Sequence, residues 1–101
     1  MKVVWTDGAR EKLGDFAELV FREAGPHSAL KWLEGLETRV KILEAHPEAG
    51  RHLPEVRRKD IRELLYRSHR VIYKLDLPTD SCVILSLRHV RQKTTRSNFD
   101  S

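Results

Sequence analysis

The sequence predicts an α+β domain in which a pair of helices packs against a mostly antiparallel sheet of four strands. Three observations predict this fold. A β-branched and aromatic segment opens the chain, apolar residues recur at helical spacing from residue 9 to residue 43, and three strand-like segments follow between residues 61 and 89. The predicted order is β-α-α-β-β-β. A chain of 101 residues suits one domain, predicted over residues 1–90, with a basic and flexible tail at 91–101.

The first half of the chain contains the first strand and both helices. The segment KVVWT (2–6) has strand composition, and Thr6 or Asp7 follows it as a helix cap. Gly25-Pro26 predicts the end of the first helix and the start of the second, which should finish near Ala45, before His46-Pro47. The apolar faces of the two helices consist of Ala9, Leu13, Phe16, Ala17, Val20 and Ala24, and of Ala29, Leu33, Leu36, Val40 and Leu43.

The second half begins with a polar connection at 47–60, which is long enough to suggest a functional loop. Three strands are predicted after it, at Ile61–Tyr66, Arg70–Leu75 and Cys82–His89, and the short breaks between them predict an antiparallel meander. In the last strand, Val83, Leu85 and Leu87 are predicted to face the helices, with Cys82, Ile84, Ser86 and Arg88 on the other side. Two helices cover one face of a sheet, so an open face carrying Arg70, Lys74 and Arg88 is expected.

Charge and cysteine content narrow the function. Residues 1–50 hold 7 Lys and Arg against 9 Asp and Glu, whereas residues 51–101 hold 12 against 6. This asymmetry favours an anionic partner such as nucleic acid or an acidic polypeptide. Cys82 is the only cysteine and is predicted to be a buried, inert thiol. The histidines lack metal-ligand spacing, so neither a metal nor another cofactor is expected. Without a signal peptide or a membrane span, the chain is predicted to be cytoplasmic.

Three residues are candidates for chemistry. Because neighbouring antiparallel strands bring the start of one beside the end of the next, Arg70 and His89 should lie within side-chain reach, and Glu55 can join them if its loop folds over the sheet. Such a group suits RNA cleavage, with Glu55 as general base, His89 as general acid and Arg70 stabilising the phosphorane. The alternative is structural: Glu55 pairs with Arg57 or Arg58, and His89 only ends a strand.

The motifs VVWTDGAREKL, GRHLPE, IRELLYRSHRVIYKL and VILSLRHVRQ, in this order, resemble the RelE/ParE superfamily of toxins from bacterial type II toxin–antitoxin modules. The resemblance spans residues 3–92 and implies a toxin held inactive by a cognate antitoxin. RelE-like and YoeB-like members cleave messenger RNA on the ribosome, and by resemblance to the YoeB type Glu55 and Arg70 match the catalytic glutamate and arginine. ParE-like members poison DNA gyrase. The lysine cluster and the late tyrosine of the RelE type are missing.

The function predicted is that of a ParE-like inhibitor of DNA gyrase, which inhibits growth and is neutralised by a cognate antitoxin in a toxin–antitoxin hetero-oligomer. The alternative is a ribosome-dependent mRNA endonuclease that needs no metal, and only then are Glu55, Arg70 and His89 catalytic. The predicted target is thus either gyrase or the ribosome and its mRNA. No interaction with a membrane is expected. The residues predicted to bind partners are basic: Arg57, Arg58, Lys59, Arg62, Arg67, Arg88, Arg91 and Lys93.

Overall fold

The computed structural model describes residues 1–91 and confirms an α+β fold. Strand β1 (Lys2–Trp5) is followed by helix α1 (Asp7–Lys41) and a short 3-10 helix (Ile42–Glu44). Strands β2 (Arg51–His52), β3 (Ile61–Tyr66), β4 (His69–Asp76) and β5 (Ser81–His89) complete the domain. The sheet has five strands in the order β1-β5-β4-β3-β2. The prediction of four strands is therefore wrong by one, because β2 has two residues and shows no periodicity.

The helical part, labelled α1 as a whole, consists of two helical segments that meet at Gly25. Gly25 has φ 88° and ψ 176°, a conformation outside the helical region that glycine adopts without steric cost. The predicted break at Gly25-Pro26 is thus confirmed. At the start, the Thr6 hydroxyl accepts a hydrogen bond from the N–H of Ala9 at 3.1 Å, so the predicted cap is Thr6. The regular α-helix ends at Lys41, four residues before the predicted end.

The sheet is antiparallel except at one edge. Strand β1 pairs with β5 in parallel, and the pairs β5–β4, β4–β3 and β3–β2 are antiparallel. The β4–β5 register shifts between Ile72 and Tyr73, since Ile72 pairs with Ser86 and Tyr73 pairs with Ile84. Leu85 is therefore an extra residue on β5, as in a β-bulge.

The main core lies between α1 and the sheet. Residues of both parts of α1 pack there against one face of β3, β4 and β5, and Leu36, Leu43, Val71 and Tyr73 are fully buried. Cys82 is also fully buried, which confirms the prediction of a buried thiol. Among residues 1–91, no helix is long and apolar enough to cross a membrane.

A second, smaller core corrects the prediction that the other face of the sheet is open. Residues 47–60, here called the strap, cross that face, and Leu53 and Val56 pack against Ile61, Ile72 and Leu85. The hydroxyl of Tyr73 fixes the start of the strap by accepting the N–H of Gly50 at 2.9 Å and donating to the carbonyl of Pro47 at 2.7 Å. A side chain at position 50 has no room, because a Cβ there would lie 2.5 Å from the Glu63 carbonyl oxygen.

The predicted orientation of the last strand is also wrong over part of its length. Cys82 and Ile84 lie in the helix-side core with Leu87, whereas Leu85 packs on the strap side. The bulge at Leu85 explains this outcome, because an extra residue reverses the alternation of side chains along the strand. A strict alternation of side chains along the whole strand therefore cannot predict the facing of the side chains at both ends of β5.

Candidate functional site

Four charged side chains form a cluster on the strap side of the sheet. Arg70 Nε donates to Glu63 Oε2 at 2.7 Å, and Arg70 Nη2 donates to Glu55 Oε2 at 2.8 Å. Arg51 Nε donates to the other oxygen of Glu63, at 2.8 Å. Two guanidinium groups and two carboxylates thus alternate, so the formal charges of the cluster cancel. We call these four residues the Arg70 cluster: Arg51, Glu55, Glu63 and Arg70.

The elements of the fold assemble this cluster in a simple way. Strands β3 and β4 are antiparallel neighbours, and Glu63 and Arg70 lie on the same face of the sheet, two residues apart along the pairing. Strand β2 places Arg51 directly opposite Glu63. Leu53 and Val56 anchor the strap in the second core, which carries Glu55 over Arg70. Apolar packing of the strap therefore positions a carboxylate on a buried arginine.

The electrostatics of the cluster follow from its burial. The Glu63 side chain is 0% exposed and that of Arg70 is 8% exposed, so both charges need partners close by. Burial alone would lower the pKa of Arg70, but the Glu55 and Glu63 carboxylates outweigh it and hold that pKa above its ordinary value. Arg70 is thus a permanently charged, paired group, which contradicts the expectation of an exposed arginine on an open face.

His89 is not part of this cluster. In the β4–β5 register His89 pairs with His69, and Arg88 pairs with Arg70. Because side chains alternate along a strand, His89 lies on the helix side, where its ring meets that of His69 with centroids 5.7 Å apart. The structure therefore brings Glu55 and Arg70 together as predicted and separates His89 from them. Arg88 and His89 are neighbours on β5, so their side chains point to opposite faces of the sheet. Since Arg88 is predicted on the face of Arg70, His89 belongs on the other face.

Glu63 and Arg51 were not identified from the sequence as members of the site. The available signal was Glu63 itself, a carboxylate at the centre of the strand IRELLY, where a buried charge requires a cationic partner. Arg51 carried no such signal, since its strand has two residues and its side chain is 65% exposed.

The predicted basic binding residues are in different situations. Arg57, Lys59, Arg67 and Arg91 are exposed. Arg58 pairs with Asp60 at 2.8 Å, and this contact lowers the pKa of Asp60. Arg62 donates to the carbonyl of Gly50 at 2.8 Å and so supports the strap. The Arg67 guanidinium lies 5.4 Å from the centre of the Tyr66 ring, and Arg88 is half-buried. Lys93 and the predicted tail beyond Arg91 lie outside the described residues.

Within residues 1–91, no group of three or more His, Cys, Asp and Glu side chains is arranged to hold a metal ion. A groove with a volume of about 340 Å³ lies between β1 and the last turns of α1. Its lining includes Val3, Trp5 and Val40, with charged residues around them.

Solved structures share this fold. A chain of the chromosomal ParDE TA system from P. aeruginosa is 25% identical, with a TM-score of 0.74 over 88% of this chain and 95% of that chain. A chain of the toxin–antitoxin complex RelBE2 from Mycobacterium tuberculosis is 21% identical, with a TM-score of 0.52 over 87% of this chain and 95% of that chain, a likeness of fold alone. The protein thus has the fold of the RelE/ParE superfamily of toxins.

The family is defined more narrowly by the sequence. The family described as the ParE toxin of the type II toxin–antitoxin system, parDE, matches residues 3–94, and the chain belongs to it. The match covers nearly all of the 101 residues and includes β1, α1, the strap and the remaining strands. No curated protein matches the chain.

Proposed function

We propose that this toxin inhibits DNA gyrase and is neutralised by a cognate antitoxin. Membership of the ParE toxin family supports this function, because the resemblance to ParE-like members of the superfamily implies gyrase as the target. Fold alone would not distinguish the two activities, since the superfamily contains both gyrase inhibitors and ribonucleases. The distinction has to come from the site.

The observation that carries the proposal is the pairing of Arg70 with two carboxylates. Glu63 and Glu55 accept hydrogen bonds from Arg70 at 2.7 and 2.8 Å, so the Arg70 guanidinium is already bound by two carboxylates of the chain itself. A phosphate group approaching Arg70 would be repelled by these carboxylates and would have to displace one of them. A structural role for the cluster accounts for these contacts.

The position of His89 supports the same conclusion. A general acid must reach the leaving oxygen from within hydrogen-bond distance of the reacting group. His89 lies across the sheet from Arg70, against His69 and on the side of α1. A substrate phosphate held by Arg70 would therefore have the whole thickness of the sheet between it and His89.

The second candidate function, ribosome-dependent cleavage of mRNA, rests on a single observation: Glu55 and Arg70 are in contact, as a nuclease of the YoeB type would require. Two substitutions separate the candidates. For a gyrase inhibitor, Glu55→Gln and His89→Gln should still arrest growth when induced in a bacterial host. For a nuclease, each should lose a hundredfold or more in rate and permit growth.

Arg70 is unsuitable for this comparison, because its replacement leaves Glu63 buried without its main partner and should harm folding in either case. Glu11→Gln, an exposed change on α1, is the matched control for loss of one carboxylate. Coexpression of the neighbouring antitoxin gene should restore growth in every active variant. Growth permitted by both Glu55→Gln and His89→Gln, with normal protein levels, would favour the nuclease.

For the antitoxin we propose an acidic, largely disordered segment that folds on the toxin. The groove at β1 presents apolar residues beside a strand whose outer edge has no partner among residues 1–91. The basic second half of the chain would attract the acidic residues of such a segment. Binding should weaken as salt rises and on the charge reversal Arg67→Glu, which replaces an exposed arginine.

Arg62→Glu is less informative than Arg67→Glu, because Arg62 supports the strap through Gly50. Lys12→Glu, an exposed reversal on α1, controls for net charge. Equal affinity at low and high salt, with no effect of Arg67→Glu beyond that of Lys12→Glu, would contradict the electrostatic part of the proposal.

A further inference from the structure

One arginine on the strap side of the sheet has no counter-ion among the described residues. Arg88 lies on β5 directly opposite Arg70 on β4, so the two side chains share a face of the sheet. Within residues 1–91 no carboxylate pairs with Arg88, and its buried Nε has no hydrogen-bond partner. Burying a charge without a partner costs free energy. Arg88 is therefore a half-buried cation that the described part of the chain leaves uncompensated.

Arg88 is one end of a row of side chains that crosses three strands. Leu65 on β3 pairs with Arg70, and Arg70 pairs with Arg88, so all three lie on the strap side. Neighbouring strands are about 4.8 Å apart, which puts Leu65 and Arg88 roughly 10 Å from each other. The strap packs on Ile72, in the next row, whereas Leu65 is 42% exposed. We call Leu65, Arg70 and Arg88 the cross-strand row.

The charges at this row indicate what kind of ligand it fits. The Arg70 cluster has no net charge, because two guanidinium groups meet two carboxylates. Arg88 adds one positive charge, which a single carboxylate would neutralise through charge-assisted hydrogen bonds. Its free Nε is buried, so the acceptor has to reach between neighbouring side chains. A carboxylate at the end of a flexible side chain has that reach, and a phosphate fixed in a rigid DNA duplex does not.

We propose that the cross-strand row is a docking site for the cognate antitoxin, which places an acidic side chain on Arg88 and an apolar side chain on Leu65. The site rests on the antitoxin proposed above and adds a second point of attachment, on the face of the sheet opposite α1. A polypeptide supplies an acidic and an apolar side chain from one short segment. A duplex would bring only phosphates to this face and would leave Leu65 without an apolar contact.

The test measures how fast the purified product of the neighbouring antitoxin gene dissociates from toxin variants. Arg88→Met keeps an unbranched side chain and removes its charge. We expect affinity to fall by about thirtyfold or more, mostly through faster dissociation, because a buried hydrogen-bonded charge pair is lost. Leu65→Ser should weaken binding about tenfold. Both losses should persist at high salt, since buried contacts are screened little, whereas the loss in Arg67→Glu should fade.

Two exposed residues provide matched controls. Arg57→Met removes the charge of an exposed strap arginine, and Leu77→Ser replaces a leucine that is 74% exposed between β4 and β5. Each control should change affinity by less than about threefold. Thermal unfolding of the free toxin is a second readout. Like charges directly opposite on neighbouring strands are destabilising, so Arg88→Met should unfold at the same temperature as wild type or a higher one.

The outcomes separate this site from the proposed function. Dissociation that is unchanged in both Arg88→Met and Leu65→Ser would overturn the site, and so would a lower unfolding temperature for Arg88→Met, which would make Arg88 structural. Binding to a DNA duplex, measured in parallel, should respond equally to Arg88→Met and Arg57→Met. A selective loss of duplex binding in Arg88→Met would assign Arg88 to phosphate instead. A gene product that does not bind wild-type toxin would contradict the proposed antitoxin together with this site.

Discussion

At the scale of single residues, the Arg70 cluster is the most demanding feature of the protein. Glu63 is completely buried and accepts hydrogen bonds from two arginines, Arg51 and Arg70. Breaking a buried ion pair by removing one charge costs about 3–5 kcal/mol, because the other charge stays buried without its partner. Glu63→Gln keeps the shape of the side chain and removes its charge. We expect it to lower the free energy of unfolding by this amount, as measured by urea denaturation.

Glu11→Gln is the control for this prediction, since it removes an exposed carboxylate and should change stability by less than about 0.5 kcal/mol. Glu55→Gln should fall between the two, because the Glu55 side chain is 30% exposed and Arg70 retains Glu63. A Glu63→Gln protein that unfolds at the same urea concentration as wild type would show that the cluster contributes nothing to the fold.

His69 gives the stability of the protein a pH dependence. Its pKa is lowered by burial and by His89, so the unfolded chain binds a proton at His69 more readily than the folded chain. Stability should therefore be complete above the ordinary histidine pKa of about 6.5 and decrease as pH falls through the lower folded value. Thermal unfolding between pH 7.5 and pH 5 should show a smaller acid loss for His69→Phe than for wild type. An identical acid loss in both would contradict this assignment.

Individual residues also show how far sequence reasoning reaches into a site. The contact of Glu55 with Arg70 was predicted, because strand order and a long loop bring the two together. The role of Glu63 was not, since a glutamate in a strand is ordinarily solvent-exposed and only the strap buries it. The order of strand ends predicts that His89 lies near Arg70, whereas the alternation of side chains along β5 puts His89 on the other face of the sheet. Two side chains form a site only if they lie close together along the sheet and also point to the same face of it.

At the scale of elements, the strap decides which part of the sheet is accessible. Its hydrogen bonds to Tyr73 join residues 47–50 to the middle of β4, and its apolar residues complete the second core. Tyr73→Phe removes the hydroxyl that accepts the buried hydrogen bond from Gly50, so the N–H of Gly50 is left without an acceptor. We expect a loss of about 1–3 kcal/mol in the free energy of unfolding.

Tyr66→Phe is the matched comparison for Tyr73→Phe. The Tyr66 hydroxyl donates to the carbonyl of Trp32, which lies within α1, so its loss affects only that contact. Tyr73→Phe should cost more than Tyr66→Phe and should increase amide exchange in residues 50–56, whereas Tyr66→Phe should leave the strap protected. Equal exchange of the strap in the two variants would show that Tyr73 does not hold it.

The elements themselves were largely predictable. The strand Ile61–Tyr66, the Thr6 cap and the break at Gly25 follow from local composition and backbone preference, and the structure has each of them. Two features could not be predicted. The bulge at Leu85 depends on how β5 fits against β4, and β2 forms only because the strap brings Arg51 beside Glu63. Both are consequences of tertiary contacts.

At the scale of the whole molecule, the basic residues are concentrated in the second half of the chain. The second half of the chain holds 12 of the 19 basic residues, and within residues 51–91 Arg51, Arg58 and Arg70 are paired with carboxylates. The exposed arginines and lysines that remain give this half a positive field. Such a field accelerates association with an acidic partner and has little influence on the fold.

We propose that this member of the ParE toxin family acts on gyrase and that its Arg70 cluster is structural. The most direct measurement is DNA supercoiling by purified gyrase in the presence of the toxin, beside translation on purified ribosomes with the same toxin. We predict that wild type and Glu55→Gln both inhibit supercoiling and trap gyrase on cleaved DNA, while mRNA stays intact. Codon-phased mRNA cuts by wild type that are absent with Glu55→Gln, together with unaffected supercoiling, would contradict the claim.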